Sequence, residues 1–154
     1  MEVIQTYDYE LISKLNEEVQ GLHRQLYPEY FKEYNYEEVK QFFKQVMTKD
    51  TNYFYAVRNG EQVMGYVWLE KRAYKENAFF MAYESIFLHH LIVLSAFRNS
   101  GVGKRLMETV YKAAESSGIK KIELDYWASN EVAKRFYEMR GFKRYREFLY
   151  KDLC

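Results

Sequence analysis

The feature that most limits how this chain folds is a β-branched apolar run, Leu91-Ile92-Val93, that leads through a short loop into an amphipathic helix beginning at Gly101-Val102-Gly103. Val102, Leu106, Val110 and Ala114 repeat every fourth residue, so the helix carries one apolar stripe. A strand that feeds such a helix buries its own apolar face by letting the helix fold back across the sheet. Glu108 and Lys112 support the wet side, and Gly118 is the stop signal. A second constraint is antiparallel. Two β-rich runs, Tyr53 to Val57 and Val63 to Leu69, flank Asn59-Gly60, a pair that tolerates the positive φ angles of a tight hairpin turn.

The remaining elements are read around these two. A short strand pattern spans Glu2 to Thr6, and Leu11, Leu15, Val19, Leu22 and Leu26 then predict one helix that ends at Pro28. Asn35 with Glu38 forms a capping box for a helix carried by Val39, Phe42, Phe43 and Val46. Ile86 to Leu94 is the central strand, and Ile122, Leu124 and Tyr126 alternate in a further one. A last helix runs from Asn130 to Gly141, and Phe142 to Tyr150 predicts a terminal strand. No repeat or linker divides the order, so residues 1–154 are expected to form one domain.

Composition narrows the classes of function. With 23 basic and 22 acidic residues, a net charge of +1 and no basic block, the chain is a poor candidate for nucleic-acid binding. Neither a signal peptide nor a long uncharged apolar segment is visible, which predicts no membrane span and a soluble, cytoplasmic protein. Cys154 is the only cysteine, which excludes an internal disulfide and a multi-thiolate zinc site; no metal is expected. Sixteen tyrosines and eleven phenylalanines exceed what the core requires, so many rings are expected to line a groove, unless they simply form a tyrosine-rich surface.

The chemistry concentrates in Arg98-Asn99-Ser100-Gly101-Val102-Gly103-Lys104. Glycines let the backbone approach a ligand, and the free N–H groups of a helix start favour an anion. The spacing is not that of a P-loop, and Leu106 stands where a dinucleotide fingerprint needs its third glycine. Alone, such a pair of glycines also suits a mere tight turn. Here Leu91-Ile92-Val93 and Arg98-x-x-Gly101-x-Gly103 are followed by Ser129-Asn130-x-x-Ala133-x-x-Phe136-Tyr137-Glu138-x-x-Gly141-Phe142. Together these segments resemble the acetyl-CoA-binding signature of the GCN5-related N-acetyltransferase (GNAT) family.

The resemblance implies an α/β, single-domain GNAT-like fold with a mixed, mostly antiparallel central sheet of about six to seven strands and about four flanking helices. It implies acetyl-CoA as co-substrate. Backbone groups of Leu91, Ile92 and Val93 would pair with the pantetheine arm, and Arg98, Asn99, Ser100, Gly101, Val102, Gly103 and Lys104 would hold the pyrophosphate. Asn130 and Ala133 would face the pantetheine, with Tyr137 as the acid that protonates the leaving sulfur. Ser95-Ala96-Phe97 replaces the proline-containing link of many members, which leaves the loop path open.

Acyl transfer to an amine needs a neutral nitrogen, so a group must accept the ammonium proton. Asp125, at a position where some family members use a carboxylate, is the first candidate; Glu84 is second and His89 third. Alternation puts Glu123, Asp125 and Trp127 on one face, and makes His90 point away from His89. Plainer alternatives exist for each: a solvated carboxylate, a hydrogen-bonded core histidine, a packing tyrosine. The acidic, aromatic segment Tyr27 to Tyr36 falls where the family walls its acceptor groove, and it suits a cationic small-molecule or peptide amine. Two other classes stay open, a non-catalytic acyl-CoA-binding sensor or interaction module on the same fold and a tyrosine-rich homodimerisation module.

Overall fold

A computed structural model describes all 154 residues. Five strands lie in the order β1 to β5: β1 (Glu2–Gln5), β2 (Asn52–Asn59), β3 (Gln62–Tyr74), β4 (Tyr83–Val93) and β5 (Ile122–Glu123). All neighbours are antiparallel except β4 and β5, which are parallel. The mixed, mostly antiparallel α/β sheet is therefore as expected, with five strands rather than six or seven.

Helices cover both faces. On one face α1 (Tyr9–Leu15), α2 (Glu17–Leu26) and α3 (Tyr36–Val46) enclose Ile12, Phe43, Phe54, Tyr66 and Trp68. On the other, α4 (Val102–Ser116) and α5 (Glu131–Glu138) enclose Val67, Leu69, Ile86, Leu88, Leu106 and Val110. Every member of the α4 stripe is buried, so the i+4 repeat is the contact face itself. No helix is long and apolar enough to cross a membrane.

Several predicted boundaries are corrected. The single helix through Leu11 and Leu26 is interrupted at Asn16, whose buried side chain donates to the Tyr66 hydroxyl at 3.2 Å; an amide drawn into the core interrupts the helical run, and the helix count becomes five. The hairpin forms, but Asn59 pairs with Gln62, so the loop is Gly60–Glu61, one residue later than read. Asn35 caps α3 through the Glu38 amide at 3.1 Å, whereas the Glu38 carboxylate turns to Lys32. The strand through Leu124 and Tyr126 stops after Glu123, and no strand forms in Phe142 to Tyr150. A strand is defined by its pairing, and β5 pairs with β4 only at Ile86–Ile122 and Phe87–Glu123, after which the two part.

Candidate active site

The parting of β4 and β5 creates the site. From Leu88 onward the β4 edge has no strand beside it, while its other side stays paired through Val67–Leu91, Tyr66–Ile92 and Gly65–Val93. Leu91, Ile92 and Val93 therefore present an open main-chain edge, at which an extended ligand can add like a strand. At its end a 3-10 turn, Ser95–Phe97, occupies the link without a proline and passes the chain to the glycine loop.

In that loop Asn99 (φ 61°) and Gly101 (φ 87°) are both left-handed, and the Ser100 hydroxyl donates back to the Phe97 carbonyl. Arg98 donates to Ser95, and the next intramolecular backbone donor is Arg105, to Gly101 at 3.1 Å. The amides of Asn99 through Lys104 have no protein acceptor, and no side chain caps α4. Such a run of donors at the positive end of a helix dipole fits a phosphate. A cleft lined by Gly101, Lys104, Arg105, Glu108 and Met1 opens beside it. Gly103 permits the close packing behind the loop, because a Cβ there would stand 3.1 Å from the Phe136 ring of α5.

Asn130 caps α5, its Oδ1 accepting from the Ala133 amide at 3.1 Å, so this side chain organises the helix start. Tyr137 is buried among Phe136, Phe142 and Tyr126. Burial pushes its phenol well above the ordinary tyrosine range, which keeps the proton on oxygen.

The candidate bases occupy different surroundings. Glu84 is exposed at the outer end of β4, paired with Ala73. Five residues of strand, on the order of 17 Å, separate it from His89, so it does not join the site. Glu123 turns inward to accept from the Tyr83 and Tyr145 hydroxyls. Asp125 is exposed, and its charge is felt at His89.

The two histidines do not point apart. A β-bulge sets Trp68 opposite His90 and Leu69 opposite Leu88, leaving His89 as the extra residue. Both rings consequently reach Trp68: His89 stacks on it at 4.1 Å, and His90 meets it edge-on at 5.0 Å. The Asn16 amide donates to the Tyr66 hydroxyl, which in turn donates to His90 Nδ1 at 2.8 Å; burial pushes His90 down to about 3. His89 Nε2 lies 2.8 Å from Glu70 Oε1, which also accepts from Arg72 Nε at 2.8 Å. Burial raises the Glu70 carboxyl, but the hydrogen bonds from His89 and Arg72 prevail and hold it below its ordinary value. Glu70, Arg72 and Trp68 were missed by sequence reasoning because the bulge that aligns them with His89 has no local signature.

An aromatic cluster forms after β5. Trp127 gathers Tyr27, Tyr30 and Phe31 at ring distances of 4.5, 6.0 and 5.0 Å. The Tyr27 hydroxyl both donates to Ser129 Oγ and accepts from the Ser129 amide, each at 2.9 Å, fastening the loop after α2 to the start of α5. Tyr27 to Phe31 thus lies beside the segment that carries Trp127 and Ser129.

Known proteins agree with this architecture. The acetyltransferase (GNAT) family profile matches residues 16–142. An uncharacterized N-acetyltransferase of Bacillus subtilis (strain 168), YycN, is 25% identical over 85 residues, which is 55% of this chain and 51% of that protein. A tetramutant of the BH1408 protein from Bacillus halodurans superposes with a TM-score of 0.91 at 19% identity, covering 99% of this chain and all of that one. AAC(6')-Iy, solved with the bisubstrate analog CoA-S-monomethyl-acetylneamine, superposes with a TM-score of 0.68 at 19% identity over 99% of this chain and 98% of that one. With the family profile spanning most of the chain and the splayed strand, glycine loop and α5 start in the expected order, the chain belongs to the GNAT family of acetyltransferases.

Proposed function

We propose that this chain transfers an acetyl group from acetyl-CoA to a primary amine of a small molecule or peptide, by direct attack within a ternary complex. The observation that carries this reading is the run of free amides from Asn99 to Lys104 at the end of a strand whose edge lies open. Those amides, with the side chains of Arg98 and Lys104, would hold the pyrophosphate, and Leu91, Ile92 and Val93 would pair with the pantetheine arm. When bound, acetyl-CoA supplies the activated acyl group. Tyr137 holds the proton that the departing sulfur needs.

The acceptor side supports a change in the order of bases. His89 lies half-buried on β4, two residues before the open edge, and burial lowers its pKa against the opposing hydrogen bond from Glu70, so the ring is neutral and able to accept a proton at neutral pH. Asp125 is the second choice and Glu84 the third. The analog bound by AAC(6')-Iy joins CoA to an acetylneamine, and a second structural neighbour is an aminoglycoside antibiotic 6'-N-acetyltransferase, which supports a polyamine or aminoglycoside-like acceptor here; the Tyr27, Tyr30, Phe31 and Trp127 cluster suits its cationic charge.

The test is thiol release from acetyl-CoA in the presence of spermidine, kanamycin, lysine and a dipeptide with a free N-terminus. Amine-dependent release with at least one of them is expected. Acetyl-CoA binding without release across a broader set of amines would point instead to an acyl-CoA-binding module.

A further inference from the structure

His89 and His90 are neighbours whose ring nitrogens are committed in opposite ways. In His90, Nδ1 is the occupied atom, accepting from Tyr66. In His89 the occupied atom is Nε2, against Glu70, and Nδ1 has no protein partner. An ionised carboxylate only accepts hydrogen bonds, so the contact requires the proton on Nε2. A neutral imidazole carries one N–H, which leaves Nδ1 with a free lone pair.

We propose that Glu70 is a positioning residue that fixes His89 as its Nε2–H tautomer and so makes Nδ1 the atom that takes the proton of the acceptor amine. This rests on the reading of His89 as the base. The surroundings support the assignment. Arg72 keeps Glu70 charged and lies over the Phe87 ring, its Cζ 3.9 Å from the centroid. Trp68 stacks on one side of the imidazole at 4.1 Å and Phe87 meets it at 4.8 Å, so the ring plane is held as well as its hydrogen bond. Glu70 and Arg72 face His89 from β3, Asp125 from the segment after β5, and His90 follows it in β4. Together, one bond and two rings define both orientation and tautomer.

The proton balance closes. The ammonium gives one proton to Nδ1, and the imidazolium that forms is paired with Glu70. The neutral nitrogen bonds to the acetyl carbon as the carbon–sulfur bond breaks; the sulfur takes the Tyr137 proton, and the remaining N–H proton restores the phenol. His89 then releases its proton to solvent, the one proton that the net reaction yields.

Nitrogen-15 NMR of the imidazoles at neutral pH tests this without any acceptor. In the parent, His89, assigned by its loss in His89→Gln, should show a protonated Nε2 and an unprotonated Nδ1. Glu70→Gln should give a mixture of tautomers and lower the turnover of the best panel amine by about ten- to a hundredfold, with acetyl-CoA affinity unchanged. Its acid limb should move to lower pH, because the anion that favours imidazolium is gone while burial and Arg72 remain. Arg72→Gln should move the limb the other way. A parent His89 protonated on Nδ1, or a Glu70→Gln variant with parental shifts and parental pH profile, overturns the proposal. A His89→Gln enzyme with the parental rate and profile instead overturns the reading of His89 as base, whatever the tautomer.

Discussion

The two halves of the proposed site are made of different material. The cofactor side is main chain: the open edge of Leu91 to Val93 and the amides of Asn99 to Lys104, contributed by one continuous stretch. The acceptor side is side chain: His89 from β4, Glu70 and Arg72 from β3, Asp125 and Trp127 from beyond β5, and Tyr27 to Phe31 from the loop after α2. In the proposed reading the main-chain donors hold acetyl-CoA, the co-substrate the family uses, and backbone geometry maintains them. Side chains from four segments can be exchanged without disturbing the fold, so this is where the proposed reading puts acceptor choice and proton handling.

Tyr137, buried on α5 among Tyr126, Phe136 and Phe142, offers the most direct way to break this division, since its proposed role links the two halves. Its hydroxyl is needed only as charge builds on sulfur, so Tyr137→Phe should keep the packing against Phe136 and Phe142 and lower kcat by about 10- to 10³-fold. Acetyl-CoA affinity, measured by calorimetry on the same preparation, should hardly change. If affinity falls and kcat does not, the phenol belongs to the cofactor side.

Gly101→Asp tests the main-chain half alone. The residue sits at φ 87°, and an acidic side chain would place negative charge inside the cradle. Calorimetry should show acetyl-CoA binding weakened by about tenfold or more, at least ~1.4 kcal/mol. The pH profile of the residual activity should stay parental. A folded variant with undiminished affinity would remove the cradle from this loop.

The same division explains what could be read from the sequence. Gly101 at the start of α4, the α4 stripe and a last helix beginning after Asn130 are local patterns that depend on near neighbours, and the structure forms these elements as read, with the Asn130 side chain capping α5. Gly65 was not singled out, although a Cβ there would lie 2.3 Å from the Ile92 carbonyl oxygen, because that clash exists only once β3 and β4 pair. Strand alternation misplaced His90 because the bulge opposite Trp68 doubles one position. Phe142 to Tyr150 has a strand's composition but pairs with no strand of the sheet, and composition alone does not specify a partner. Asp125 was favoured on its sequence position, whereas Glu70, the carboxylate that touches a histidine, lies in a part of β3 beyond the run read as strand.

Asp125→Asn should have the smallest effect and sharpens the acceptor side. If Asp125 acts only as a charge near His89, its loss leaves the plateau rate within about two- to threefold, as expected for an exposed, solvent-screened charge. The sign of the accompanying shift is defined. Burial lowers the His89 pKa, Glu70 and Asp125 oppose that lowering, and activity requires the neutral ring. Removing the Asp125 charge therefore lowers that pKa further, and the acid limb of kcat/KM moves to lower pH, by less than in Glu70→Gln, which also loses a hydrogen bond. The opposite pattern, a collapse at neutral pH that recovers at high pH where free amine forms unaided, would identify Asp125 as the proton acceptor. Glu70 would then be a partner of Arg72 alone, and the two carboxylates would exchange the roles argued for them here.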